Sequence, residues 1–361
     1  MTDGKIKVLV VDDSKVARML MAHVLGADPQ IEVVGTLNDG QEALDFVQNQ
    51  KPDVVVMDIH MPNLDGFEAT RRIMETQPVP IIICTATANA SEVVNSFRLM
   101  EAGAVACVEK PVSPGSPDFD KVVGNLLQTI KLMSEVKVVR RWPRARSAKL
   151  AGKESPEPEW KPAATGIHIV GIGASTGGPP VLQTILASLP KDFPAPVLIV
   201  QHIARGFLPG LLDWLRQTTG WQVHIAAHGI VPLPGHAYLA PDDYHMGVTA
   251  SQRILLSREE PMANLRPAVA FLFRSLAGTY GSHAVGVLLT GMGRDGATEL
   301  KLMRDAGAET IAQDRESSVV HGMPGEAIAA GGATYILPAD KIADTLITLV
   351  RRPASIAGPP L

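Results

Sequence analysis

A chain of 361 residues exceeds what one hydrophobic core usually supports, so two domains are expected. Its 46% hydrophobic content is ample for packed cores, while no apolar run approaches the ~20 residues that span a bilayer. A net charge of -4 gives no overall basic footprint for nucleic acid, and the start MTDGKIKVLVVDD has none of the ordered parts of a leader. These features predict a cytoplasmic protein without direct membrane insertion. Cys84 and Cys107 both sit in apolar, strand-like segments and read as reduced thiols, not as a disulfide framework.

From Lys5 to Met133 short apolar runs alternate with helical patterns. Strands are predicted near 6–11, 31–36, 53–58, 79–85 and 105–108, a rhythm that builds a parallel sheet with helices on its faces. The clearest helix carries Phe119, Val122, Val123, Leu126, Leu127, Ile130 and Met133 on one side, at intervals of three and four. Residues 134–165 read as a linker, because Arg, Lys, Glu, Ser and Pro dominate and little apolar surface remains to offset ordering. Within them lies the basic stretch of Arg140, Arg141, Arg144, Arg146, Lys149 and Lys153. A second alternation starts at IHIVGI (167–172) and runs to Val350, with strands near 196–201, 222–226, 284–290, 309–313 and 333–336. Residues 351–361 read as a frayed tail. The expected fold class is α/β, with two parallel-sheet domains.

Acids gather at the predicted strand ends of the first half. Asp12 and Asp13 end the first strand, Asp58 the third and Thr85 the fourth, and Lys110 follows the fifth. Ligands of open parallel sheets bind outside these carboxyl ends, and three carboxylates there call for a hard cation such as magnesium. Asp58 can then attack a phosphoryl donor while Lys110 and Thr85 hold the incoming oxygens, which is acyl phosphate formation. One such Asp alone would read as a helix cap. Five dependent positions, including a lysine followed by proline, favour chemistry.

The second half opens on a strand that runs into GASTGGPP, followed by a helix with Val181, Leu182, Ile185, Leu186 and Leu189 at helical spacing. A glycine turn feeding a helix amino terminus suits either a pyrophosphate, through Gly171, Gly173 and Gly177, or a nucleophilic Ser175. The next strand, VLIVQHI, ends in Gln201 and His202 instead of the acid that a ribose would need, which favours the serine. A third strand, AVGVLLTGMGRDG, ends in a loop with Asp295. Ser175 as nucleophile, His202 as base and Asp295 as its orienting acid form a candidate triad in an unusual chain order. Each residue has a structural alternative, a cap for Ser175 or Thr176 and a satisfied buried ring for His202. Their joint placement beside two glycine loops favours catalysis. The other histidines, His224, His228, His236, His245 and His321, show no tight metal-ligand spacing.

Residues 5–133 resemble a response-regulator receiver domain, through VLVVDDS at 8–14, MDIHMPNLDG at 57–66, CTA at 84–86 and EKP at 109–111. The resemblance implies phosphorylation of Asp58 by a sensor histidine kinase, with Thr85 and Lys110 as switch residues. It further implies magnesium on Asp13, Asp58 and the His60 backbone carbonyl, with Asp12 assisting through water. Cys107 stands where receivers often carry an aromatic switch residue. Residues 166–350 resemble the catalytic domain of the chemotaxis protein-glutamate methylesterases, through IGASTGGP at 172–179, QHI at 201–203, PGHAYLAP at 234–241, LTGMGRDG at 289–296 and SSVVHGMPGEAI at 317–328. That resemblance implies a flavodoxin-like receiver followed by a Rossmann-like doubly wound hydrolase domain. The implied substrates are γ-glutamyl methyl esters, and specific glutamines, on the cytoplasmic helical region of chemoreceptors. It carries Ser175, His202 and Asp295 over as the triad, with the backbone amides of Met292 and Thr176 as oxyanion donors, and places Met323 and Pro324 near the site. No cofactor is expected at the hydrolase site, and the chain is expected to be monomeric. A nucleotide-binding output would need bound dinucleotide, a transcriptional output a basic recognition helix, and a silent adaptor would leave the three residues unused.

Overall fold

The computed structural model describes residues 4–351 except 86–96, 101, 112, 117, 137 and 139–165. The basic stretch, most of the expected linker, residues 352–361 of the expected tail and the Ala86 of the CTA motif therefore lie outside the described residues.

Two separate parallel sheets are present. The first is built from β1 (Ile6–Val11), β2 (Ile31–Leu37), β3 (Val54–Met57), β4 (Ile81–Thr85) and β5 (Ala106–Glu109), in the order β2-β1-β3-β4-β5. All of its pairs are parallel. Because strand side chains alternate, Leu9, Val11, Val55 and Met57 enter one core while Val8, Val10, Val54 and Val56 enter the other. The helix at Phe119–Met133 buries Leu126, Ile130 and Met133, the centre of the apolar face seen in the sequence.

The second sheet joins β6 (Ile169–Ala174), β7 (Val197–Gln201), β8 (Gln222–Ile225), β9 (His236–Leu239), β12 (Ala284–Leu288), β13 (Glu309–Gln313) and β14 (Tyr335–Leu337). Their order is β14-β13-β12-β6-β7-β9-β8, again parallel throughout. The chain leaves β6 toward β7 on one side and later returns to β12 on the other. Loops diverge between β6 and β12, which makes a crevice at their carboxyl ends.

Three strands fall outside the sequence expectation. One is β9; the others are β10 (His245–Val248) and β11 (Ile254–Ser257), an antiparallel pair beside the main sheet. Each is four residues long, and β9 and β10 begin with histidine, so neither length nor β-branched content marks them. Met246, Val248 and Ile254 share a core with Leu272 and Phe273 of the helix Val269–Tyr280, which fixes that helix over the sheet.

At the amino edge of the second sheet, His168 N donates to the His283 carbonyl at 2.7 Å, and His283 Nδ1 lies 2.5 Å from the Gly166 carbonyl oxygen. The chain is thus pinned just before β6, at the end opposite Ser175.

The two halves touch through apolar side chains. Phe97 stacks on Trp214 of the helix Leu208–Thr219, with ring centroids 5.5 Å apart and both side chains buried. Met100 joins the same core, and Cys107 packs against the cores of both halves. Val319 and Val320 in turn pack against the core of the first half.

Candidate active site

Two sets of polar side chains occupy carboxyl ends of strands, one in each half. In the first, Asp12 and Asp13 follow β1, Asp58 follows β3 and Lys110 follows β5. One carboxylate oxygen each from Asp12, Asp13 and Asp58 lies within 4.8 Å of the others, the only such group of three or more ligating side chains among the described residues. Lys110 Nζ bridges Asp12 Oδ2 at 2.7 Å and Asp58 Oδ2 at 2.9 Å. Asp58 Oδ1 accepts from the Ile59 amide at 2.8 Å. Burial pushes the Asp58 carboxyl above its ordinary range, and Asp12 adds to that, against the pull of Lys110. For Lys110, burial works against the charge, but the two carboxylates hold its ammonium above the usual lysine range. Three hard oxygen donors partly neutralised by one ammonium suit a divalent cation.

Local packing fixes these groups. Gly66 begins the helix after β3 against Asp58, where a Cβ would stand 2.2 Å from the Asp58 carbonyl oxygen. Thr85 is buried at the end of β4, and its carbonyl accepts from the Lys110 amide at 2.9 Å. His60 is exposed in the loop after β3.

In the second half, Ser175 follows β6, His202 follows β7 and Asp295 lies in the loop after β12, three neighbouring strands. The His202 amide donates to the Ala174 carbonyl and the Ser175 amide to the Thr290 carbonyl, which locks the three loops side by side. Asp295 Oδ2 lies 2.9 Å from His202 Nε2, although the ring N–H is not aligned on that oxygen. Asp295 also accepts from the amides of Val269 at 2.7 Å and Ala270 at 3.0 Å, at the start of the helix Val269–Tyr280. Burial alone would raise its pKa, but His202 and the two helix amides prevail, and the carboxyl lies below its ordinary range. Asp295 therefore stays ionised beside the imidazole.

The serine turn depends on absent side chains. Gly177 has φ +77° and caps the helix Gly178–Ser188; a Cβ there would meet Val319 at 2.6 Å. Opposite it, a Cβ on Gly291 would meet Ser175 Cβ at 2.6 Å and Met323 Sδ at 2.5 Å. Ser175 Oγ makes no hydrogen bond among the described residues, and neither the Thr176 nor the Met292 amide finds an acceptor there. Both amides lie in loops flanking Ser175. His321 pairs through its backbone with Gly291, and burial pushes its imidazole below the usual value.

Sequence reasoning missed the groups that hold these residues. Gln201 Nε2 donates to the carbonyls of Ser175 and His202, and Thr290 Oγ1 to that of Thr176. Their signal was a polar residue at the end of an otherwise apolar strand. The Val269 and Ala270 amides carry no side-chain signal at all.

Residues 8–116 match the family model of the response regulator receiver domain, and residues 170–346 that of CheB methylesterase. A protein-glutamate methylesterase/protein-glutamine glutaminase of Nitrosospira multiformis is 51% identical over 345 residues, covering 96% of this chain and 97% of its own. Another so named, from Syntrophus aciditrophicus, is 52% identical over 344 residues, covering 95% and 98%. The crystal structure of the Thermotoga maritima CheB methylesterase catalytic domain is 42% identical, with a TM-score of 0.50, and covers 51% of this chain and 99% of that one. No helix among the described residues is long and apolar enough to cross a membrane. With an acid cluster at one sheet edge, a serine, histidine and aspartate at the other, and relatives matched almost end to end, the chain belongs to the protein-glutamate methylesterase/protein-glutamine glutaminase family, a receiver domain followed by a CheB methylesterase domain.

Proposed function

We propose that this chain is a cytoplasmic, phosphorylation-activated serine hydrolase. It removes methyl groups from γ-glutamyl esters on the helical cytoplasmic region of chemoreceptors and deamidates specific glutamines there. The observation that carries the reading is the Asp295–His202 pair beside Ser175, with two amides in the flanking loops that meet no acceptor among the described residues. Ser175 Oγ attacks the ester carbonyl carbon and gives its proton to His202. Negative charge then gathers on the carbonyl oxygen, where the Thr176 and Met292 amides hold it. Collapse breaks the bond to methoxide, which leaves as methanol with the proton from His202. Water repeats the sequence on the acyl-enzyme and yields the glutamate carboxylate. A glutamine follows the same course with ammonia as leaving group. Asp295 holds the imidazole and stabilises its charged form throughout. No cofactor enters this scheme.

Regulation rests on Asp58. A sensor histidine kinase supplies the phosphoryl group, and the Asp58 carboxylate forms the acyl phosphate while Lys110 and Thr85 hold the transferred oxygens. Asp12, Asp13, Asp58 and the His60 carbonyl would hold a magnesium ion, which when bound neutralises charge on the phosphoryl oxygens. The contacts of Phe97 with Trp214, and of Val319 and Val320 with the receiver core, support an inhibited state in which the receiver sits on the hydrolase. Val319 also lies against the serine turn at Gly177, so a receiver-borne change has a short route to the site.

Methanol release from methylated receptor membranes tests the proposal, with phosphodonor and magnesium present. Intact protein is expected to release methanol, Ser175→Ala none, and Asp58→Asn only the unstimulated amount. Undiminished release by Ser175→Ala would overturn the mechanism.

A further inference from the structure

Gln201 ends β7 and is 5% exposed, with its side chain turned back under the serine turn. Its Nε2 donates to two carbonyls, Ser175 at 2.8 Å and His202 at 2.8 Å. The reverse amide orientation would set Oε1 against both carbonyl oxygens, so its neighbours fix which end points inward. Oε1 is then buried with no partner among the described residues. It presses on the helix start at Gly178, where a Cβ would stand 2.2 Å away. A buried acceptor without a donor destabilises a fold, and an apolar side chain would fill the same place without that cost. The amide is explained by what its donor end does.

We propose that Gln201 is a positioning residue that holds the nucleophile, the base and the Thr176 oxyanion amide as one unit; the inference rests on the roles of Ser175 and His202 given above. The link is peptide planarity. In a trans peptide the carbonyl and the following N–H point in opposite directions. The Ser175 carbonyl accepts from Gln201 and from the Gly178 amide, each at 2.8 Å, and drawing it inward onto these two donors aims the Thr176 N–H the other way, where it meets no acceptor among the described residues. Thr290 faces the next peptide in the same way, its one hydroxyl proton lying between the Thr176 carbonyl at 3.0 Å and the Val320 carbonyl at 3.2 Å. The bond to Ser175 joins the end of β7 to the loop after β6, and the bond to the neighbouring His202 carbonyl fixes the same amide against the base's peptide. Movement of either loop then moves the other, and the base keeps its place relative to the nucleophile. An oxyanion donor acts only when its direction is set before charge develops.

The test compares intact protein with Gln201→Met, which removes both donors at similar volume, and Gln201→Glu, which keeps the shape and leaves at most one donor, on a protonated carboxyl. Methanol release gives kcat and KM, and the rate at which a small phosphonylating ester labels Ser175 reports the serine and oxyanion amides without receptor docking. Both variants are expected to lose on the order of 100-fold in kcat and in labelling rate, the scale of one oxyanion donor, while KM for methylated receptor stays within about twofold. Melting temperatures check folding; should neither Gln201 variant fold, Thr290→Val removes the companion bond and is expected to show the same split. Unchanged kcat in a folded variant, or a loss confined to KM, would overturn the inference. Ser175→Ala, run alongside, separates the two readings: if it keeps full release, the hydrolase site is misassigned, whereas its full loss beside normal Gln201 turnover removes Gln201 alone.

Discussion

Asp295 makes two kinds of contact with one carboxylate. It faces His202 Nε2 at 2.9 Å and takes the first amides of the helix Val269–Tyr280, so a single substitution acts on turnover and on folding. Asp295→Asn is expected to lower kcat by roughly 10³-fold or more, as replacing the orienting acid of a triad does. It also weakens the helix start, a loss of about 1 kcal/mol at neutral pH. The pH dependence has a definite sign. Because the folded pKa is depressed, the native state binds the proton less tightly than the unfolded chain. The stabilisation is complete above the unfolded value of about 3.9 and is lost as pH falls through the depressed native value. Urea midpoints at pH 7, 5, 4 and 3 measure this: the difference between Asp295→Asn and intact protein shrinks in acid, and a difference that stays constant would remove the capping role. Asp295 itself was visible in the sequence, through the glycine loop around it. Its helix amides were not, because a backbone donor leaves no mark on side-chain identity.

Elements place these residues more than the residues place themselves. Strand order β12-β6-β7 alone puts three loops together, and the alternation of apolar runs and helices was enough to foresee two parallel sheets. The helix after Ser175 buries Val181, Leu182, Ile185 and Leu186, as its spacing required. What stayed hidden was β9 and the β10–β11 pair; β9 and β10 begin with histidine and β10 contains Gly247, which masks the strand pattern there. Close approach between loops was hidden too. Gly291 lies against Ser175, with room for hydrogen alone. Gly291→Ala is expected to push the serine turn away from the loop after β12 and to lower kcat by about 10²-fold, the cost of a displacement near 1 Å at a reacting group. Receptor-membrane assays together with a melting curve check it; normal turnover in a folded Gly291→Ala would mean that the turn gives way freely.

At the scale of the whole molecule, the sequence announced two halves joined by a polar stretch but not the surface through which they meet. Phe97 is helical and Trp214 lies in a helix of the other half, and neither has a partner in its own sequence neighbourhood that betrays the stack. Cys107, where an aromatic switch residue is common among receivers, packs on both cores. Phe97→Ala removes one ring of the stack and is expected to raise hydrolysis without phosphodonor by about tenfold, equivalent to ~1.4 kcal/mol of lost contact. Methanol release from the unphosphorylated variant measures the effect, and an unchanged basal rate would show that this stack does not hold the closed arrangement.

The pin of Gly166 and His168 on His283 bears on how tightly the halves must bind. The six residues of β6 put about 20 Å between that anchor and the serine turn, so the described chain enters the second half on the side away from the crevice. Were phosphorylation to release the receiver, as proposed above, the covalent connection would still hold it near the hydrolase and raise its effective concentration there. An interface too feeble for two separate proteins would then suffice for the proposed inhibited state, and a shift of about 1.4 kcal/mol from one phosphoryl group would change its occupancy tenfold. Restraint by tethering makes a weak contact both dependable and easy to undo.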